Sequence, residues 1–226
     1  MNANHYDIIV IGAGSGGLSI GLFMNKAGFR VLMFSKSDEA IGGDCLNDGC
    51  VPSKALIHVS GIAHSARLAK QFGLEVTGKV DIKKAISYVY SKQEVIRKHE
   101  NAKWLKEQGI DIVLGEAVFS GKNEVSANGN TYHGKKIVIA TGSSPEKLTI
   151  PGVDMISYYD NKSIFYLQEL PERLLVIGGG PIGIEMAQTF NRLGSRVTVV
   201  HKGGMILRAG PRRRGDFVGP DQPGPT

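Results

Sequence analysis

Tyr6-Asp7-Ile8-Ile9-Val10-Ile11-Gly12-Ala13-Gly14-Ser15-Gly16-Gly17 decides the fold. Residues 6 to 11 read as a buried strand, ending in four apolar β-branched side chains, Ile8 to Ile11. The run leads straight into glycines at Gly-x-Gly-x-x-Gly spacing. Leu18, Ile20, Leu22 and Phe23 continue as a helix up to Gly28, and Val31 to Phe34 read as the next strand. Strand, glycine turn, helix, strand is the context that a dinucleotide fingerprint requires. Gly12 allows the tight turn, Gly14 lets a pyrophosphate approach the backbone, and Gly17 lets the helix pack close to the strand.

The fingerprint asks for an acidic residue about 20 positions on, to hold a ribose hydroxyl. Ser35 stands there, followed by Lys36, with Asp38 and Glu39 slightly late. A serine hydroxyl bonds more weakly than a charged acceptor.

The whole pattern recurs. Leu174 to Ile177 read as a buried strand entering Gly178-Gly179-Gly180-Pro181-Ile182-Gly183, followed by a helix through Leu193, then Gly194 and a strand over Val197 to Val200. Gly178, Gly180 and Gly183 take the three glycine roles. His201 and Lys202 occupy the acidic position of this copy. An acidic residue there favours NAD, and basic groups lean slightly towards the 2′-phosphate of NADP.

Between the two copies lies Gly42-Gly43-Asp44-Cys45-Leu46-Asn47-Asp48-Gly49-Cys50-Val51-Pro52-Ser53-Lys54, which holds both cysteines of the chain. Pro52 suits a first helical turn. Val51, Ala55, Leu56, Val59, Ile62 and Ala63 then recur at helical spacing. Cys50 therefore sits near a helix N-terminus, where unpaired N–H groups and the dipole favour a thiolate, and Lys54 adds positive charge one turn on. Three readings of the pair stand side by side: two free buried cysteines, half of a zinc site, or a small disulfide ring that opens and closes easily.

A second helical stretch is expected over Ile82 to Gln108, with Tyr88 and Trp104 as packing residues. Short strands follow at Ile110 to Leu114, Ala117 to Phe119, Glu124 to Ala127 and Thr131 to His133, punctuated by Gly115, Gly121 and Gly134, with Asn128-Gly129 as a hairpin turn. Lys136 to Ala140 read as a further buried strand. After Leu207 periodicity ends in Pro-, Gly- and Arg-rich sequence, and residues 209–226 are expected to be disordered. The second copy has by then supplied one strand-helix-strand piece, so the chain reads as cut short.

The 226 residues are 42% hydrophobic and 21% charged, with a net charge of +6. Much of the excess lies near Arg208, Arg212, Arg213 and Arg214. No basic face with interleaved aromatics marks a nucleic-acid surface. No apolar run is long enough for a membrane span, and none reads as a signal peptide. A cytoplasmic, reducing compartment is expected, where a disulfide is more often catalytic than structural. The six histidines form no metal-binding pattern, and no metal site is expected.

Two fingerprints flanking Cys-x4-Cys resemble the pyridine nucleotide-disulfide oxidoreductases, the family of dihydrolipoamide dehydrogenase, glutathione reductase and mercuric reductase. The cysteine segment is close to the family's Gly-Gly-Thr-Cys-x-Asn-x-Gly-Cys-x-Pro-Ser-Lys, with Asp44 for Thr. Ala140-Thr141-Gly142 matches the family's second flavin motif. Ser35 replaces the usual Glu. The resemblance implies an α/β fold: a Rossmann-like FAD-binding domain with a small β-meander over 1–150, then an incomplete NAD(P)-binding unit over 151–208. It implies FAD at the first fingerprint, with Ser35, Lys36, Lys54, Ala117, Thr141 and Gly142 among its contacts, and NAD(P)H at the second, with His201. Electrons would pass from NAD(P)H through FAD to a Cys45–Cys50 disulfide, Cys50 facing the flavin and Cys45 exchanging with a small dithiol or disulfide substrate. Lys54 and Glu185 match the family's ion pair beside the flavin. A homodimer is implied for full-length members, whose C-terminal interface domain carries a His-Glu dyad. Neither that domain nor the dyad is found before Thr226. The alternative reading is therefore a truncated, non-catalytic flavin-binding module.

Overall fold

A computed structural model describes residues 4–203 and 206. The expected disordered tail, 209–226, lies outside the described residues. The chain divides between Leu170 and Pro171 into two compact units.

The first unit is built on β1 (His5–Ile11). α1 (Ser15–Lys26) and β2 (Val31–Ser35) follow it. Next come a short α2 (Gly43–Asn47), α3 (Cys50–Leu68), α4 (Ile82–Arg97) and α5 (Ala102–Glu107). The unit continues with β3 (Asp111–Leu114), β4 (Val118–Gly121), β5 (Glu124–Ala127) and β6 (Asn130–Ile139). One six-stranded sheet results, in the order β3-β2-β1-β6-β5-β4. Strands β3, β2, β1 and β6 are parallel, while β6, β5 and β4 form the antiparallel meander.

The alternation of β1 explains its apolar run from Ile8 to Ile11. Ile8 and Val10 face one core, shared with Val31, Met33, Leu18, Leu105 and Ile112. Tyr6, Ile9 and Ile11 face a second core with Leu32, Phe34, Val125 and Ala127. With both faces covered, residues 6–11 are apolar except Asp7, whose Oδ1 accepts from Lys135 Nζ at 2.7 Å, and each apolar side chain contributes about 1.5–3 kcal/mol by burial.

Three expectations are corrected. The helix expected over 82–108 is two helices. Asn101 breaks it: its Oδ1 accepts from the Trp104 N–H at 2.8 Å while its Nδ2 donates to the Arg97 carbonyl at 2.8 Å. An Asn that satisfies the end of one helix and caps the next favours the break over continuation. The strands expected at 131–133 and 136–140 are one continuous β6. Gly134 is not a turn; it clears space for Ile9, whose Cγ1 would lie 2.9 Å from a Cβ at 134. Finally, residues 151–170 belong with the first unit rather than the second: Phe165 and Leu167 are buried, and Tyr166 packs on Tyr90 of α4, ring centroids 6.0 Å apart.

The second unit contains β7 (Arg173–Ile177), α6 (Pro181–Leu193) and β8 (Arg196–Val200). The two strands pair in parallel, Leu174 opposite Val197. The strand read as buried is covered on one face only: Leu175 and Ile177 are 57% and 47% exposed. The fold is α/β, a Rossmann-like domain extended by a β-meander, followed by one more strand-helix-strand piece of the same build among the described residues. No helix among them is long and apolar enough to cross a membrane.

Candidate functional site

The carboxyl ends of β1, β2 and β6 meet at the first glycine turn. The Gly12 N–H donates to the Phe34 carbonyl at 3.0 Å, and the Ala140 N–H donates to the Ile11 carbonyl at 2.8 Å. Gly12 takes φ +106°, and a Cβ on Gly17 would fall on the Gly12 carbonyl oxygen, so α1 starts directly above the turn. Gly14 stands at the N-cap without a side-chain acceptor, and the first turn of α1 carries no acidic residue. The first N–H groups of the helix are thus left to an incoming anion.

Beside the turn runs a groove of about 340 Å³ lined by Ile11, Gly12, Phe34, Ser35, Lys36, Gly115, Glu116, Ala117 and Thr141. Gly12, Ser35, Lys36, Ala117 and Thr141, distant in sequence, are brought together here. Gly142 follows Thr141 at φ +74°. The Ser35 hydroxyl donates to the Ser37 carbonyl at 2.8 Å and is committed to its own loop.

The cysteine segment is docked on the same turn. The Gly42 N–H donates to the Ala13 carbonyl at 2.9 Å, and Gly14 and Gly42 form a parallel bridge. Cys45 lies half-buried on α2, and Cys50, exposed, begins α3. Both are free thiols, and the neighbouring Cys50 side chain, followed by burial, pushes the Cys45 thiol up from its ordinary value. Lys54 is exposed on α3, one turn after Cys50.

Sequence reasoning missed the residues that hold α2. Gln93 of α4 is buried, and its Nε2 donates to the Leu46 and Asn47 carbonyls at 2.9 Å each. Arg97 Nη2 donates to Asn47 Oδ1 at 2.9 Å. Asn47 Nδ2 in turn reaches the carbonyls of Glu39, Ile41 and Gly43. One signal was readable: Gln93 falls on the apolar stripe Ile82, Ala85, Ile86, Val89, where a polar residue needs a buried partner.

The second fingerprint repeats the first. A Cβ on Gly183 would fall on the Gly178 carbonyl oxygen, and the Gly178 N–H donates to the Val200 carbonyl at 2.8 Å. A Cβ on Gly180 would meet nothing within 4 Å. His201 Nδ1 accepts from the Gly179 N–H at 3.2 Å, which turns the imidazole onto the glycine turn. Glu185 lies on α6 in this unit, Lys54 in the first. Among the described residues no group of three or more His, Cys, Asp or Glu is placed to hold a metal.

Comparisons with known proteins agree with this geometry. Residues 6–219 match the family model of the pyridine nucleotide-disulphide oxidoreductases. A dihydrolipoyl dehydrogenase from Thermus scotoductus is 38% identical over 92% of the chain and 44% of its own length. A mercuric reductase from Lysinibacillus sphaericus is 32% identical over 92% of the chain and 38% of its own length. The solved structure of the HOCl-induced flavoprotein disulfide reductase RclA from Escherichia coli superposes with a TM-score of 0.76 at 30% identity, covering 92% of this chain and 44% of that one. The chain thus spans less than half the length of these relatives. With a family model matched across nearly the whole sequence, this chain belongs to the pyridine nucleotide-disulphide oxidoreductases.

Proposed function

We propose that the chain is the cofactor-binding and dithiol-bearing part of an oxidoreductase that passes electrons from NAD(P)H through FAD to the Cys45–Cys50 pair and on to a small disulfide substrate or, in the reverse direction, from a small dithiol to NAD(P)+. Members of the family are FAD-dependent and use NAD(P)H. One observation carries the reading: the glycine turn and the cysteine segment are in backbone contact through Gly42 and Ala13, so a cofactor bound at the first would lie beside the second.

The residues present fit a flavin nucleotide. A Cβ on Gly14 would meet only Gly43, at 3.5 Å, and one on Gly16 would meet nothing within 4 Å, which leaves the approach to the α1 N-terminus open for a pyrophosphate. The groove between Gly12, Ser35, Ala117 and Thr141 suits the adenosine end. When bound, the flavin supplies the exchange between hydride and single-electron-pair chemistry at sulfur. The chain's own part is to hold two thiols within reach of each other, so that they close to a disulfide when oxidised and open when reduced. Cys50, exposed at the helix N-terminus, and Cys45, tied to it, are the pair. Lys54 and Glu185 keep flavin-side roles on the strength of the motif resemblance, and His201 with Lys202 carries a slight lean towards NADPH.

The relatives' names include dihydrolipoyl, mercuric and glutathione enzymes, and the substrate proposed here is a small disulfide as acceptor or a small dithiol as donor. The test is anaerobic reduction of the purified chain. A yellow protein bleached by NADH or NADPH, gaining two thiols on Cys45 and Cys50, supports the reading. A protein that takes up no FAD overturns it, and one whose flavin binds but never reduces is a flavin-binding module only.

A further inference from the structure

The turn between β5 and β6 is Asn128-Gly129, and Asn128, at φ +52°, is the one non-glycine residue with positive φ among the described residues. A tight hairpin explains that choice of residue, since Asn tolerates the left-handed region. It does not explain where the side chain goes. Asn128 is exposed at the tip, yet its carboxamide leaves the hairpin: Nδ2 donates to the Leu114 carbonyl at 2.8 Å, and a Cβ built on Gly115 would stand 2.6 Å from Asn128 Oδ1. Leu114 ends β3, which is not a neighbour of β5 or β6 in the sheet. Gly115, Glu116 and Ala117, which join β3 to β4, line the groove beside the first glycine turn. The Gly115 N–H donates to the Ser35 carbonyl at 2.8 Å, so this wall is held at its start by one bond from β2 and one from the hairpin tip.

We propose that Asn128 is a positioning residue for the cofactor groove: its carboxamide, reaching from the β5–β6 turn, fastens the end of β3 and fixes the wall of Gly115, Glu116 and Ala117 relative to Gly12, Ser35 and Thr141. This rests on the reading of that groove as the adenosine end of a flavin site. Gly115 takes φ +151°, and a glycine at the head of a short connection gives it wide conformational freedom. A wall fixed before binding spares the ligand the entropy of ordering it, and the difference appears as affinity. Gly115 and Asn128 also fit as a pair, because a side chain at 115 would collide with the carboxamide. A hydrogen bond from a neutral amide to a carbonyl shifts an equilibrium by about fivefold, which sets the size of the effect.

The test is calorimetric titration of the flavin-free full chain with ADP, which carries the adenosine and the pyrophosphate. Asn128→Gly keeps the positive φ and removes both contacts of the carboxamide. Asn128→Asp keeps the size and the conformation but replaces the donor to Leu114 by a second acceptor. Both are expected to weaken ADP binding about fivefold or more, with faster amide hydrogen exchange at residues 115–117 and unchanged exchange from Gly12 to Gly17. Asn130→Ala is the control. It removes the Asn130 Nδ2 bond to the Asn128 carbonyl, 3.2 Å, and so weakens the same turn without touching the carboxamide. ADP affinity in this variant is expected to stay within about twofold of wild type. Wild-type affinity in either folded Asn128 variant overturns the proposal, and so does an equal loss in Asn130→Ala, which would assign the effect to hairpin stability. A wild-type chain that binds no ADP overturns the groove reading as well; ADP bound equally by wild type and Asn128→Gly overturns the Asn128 role alone.

Discussion

The backbones of Gly14 and Gly43 touch: a Cβ built on Gly43 would stand 2.7 Å from the Gly14 Cα. The glycine turn after β1 and the entry to the cysteine segment are therefore one structural joint. The two glycines serve it differently. Gly43 takes φ +58°, a conformation side chains rarely adopt, whereas Gly14 has an ordinary φ of −78°. Gly43→Ala is expected to cost about 1–3 kcal/mol, through strain and the forced separation of the two segments. Gly14→Ala is expected to change stability by less than about 0.5 kcal/mol while blocking the pyrophosphate approach. Urea unfolding and FAD titration of both variants check the contrast. Equal losses of stability would show that the joint is not the constraint.

Gln93 ties α4 to the end of α2 by two donors on one side-chain nitrogen. Replacing it by Leu leaves the Leu46 and Asn47 carbonyls without these partners. An expected loss of about 1–3 kcal/mol follows, since an unpaired buried acceptor costs its desolvation. Cys45, one residue before Leu46, should also be alkylated faster. Urea midpoints and alkylation rates measure both effects.

Ser35 donates its hydroxyl to Ser37 and offers no charge to the groove. Ser35→Glu is expected to tighten FAD binding about tenfold, the worth of one charge-assisted hydrogen bond to a ribose hydroxyl. Flavin fluorescence titration reads the change. Weaker binding would mean that the adenosine end lies elsewhere.

Tyr6 donates its phenol proton to Asp111 Oδ2 at 3.0 Å, with the Arg30 guanidinium 4.4 Å from its ring centroid. Burial, and then the bond and charge of Asp111, push its pKa up to about 12 from an ordinary 10.0. Between these values the folded chain keeps a proton that the unfolded chain releases. The resulting stability is fully present below about pH 10 and is lost as pH rises towards 12. Tyr6→Phe should flatten the fall of the urea midpoint across that window. A wild-type slope that survives the substitution would assign it to another group.

Much of the fold was legible because its signals are local. The run Ile8 to Ile11 is apolar throughout since both sheet faces are covered, and Gly12 and Gly17 lie five positions apart. The same argument found the second copy at Gly178 and Gly183. Gly134 misled for a related reason. A glycine among polar residues looks like a turn, yet here it clears room for Ile9, a residue 125 positions away in the chain. Asn101 misled because a cap in mid-pattern differs from an ordinary polar helix residue only in the backbone it bonds.

By itself, the order of residues determined the two strand-turn-helix-strand units and set Cys45 and Cys50 five positions apart at a helix entry, because each depends on neighbours within a few tens of positions. Tertiary structure alone decided what surrounds that pair. Gln93 and Arg97 reach α2 from a helix more than 45 residues on, and Ser35, Ala117 and Thr141 share a groove only after the strands align. Side-chain chemistry can be read along the chain; which groups meet around the thiols is set by packing, since physical influence follows distance in space and not separation in sequence.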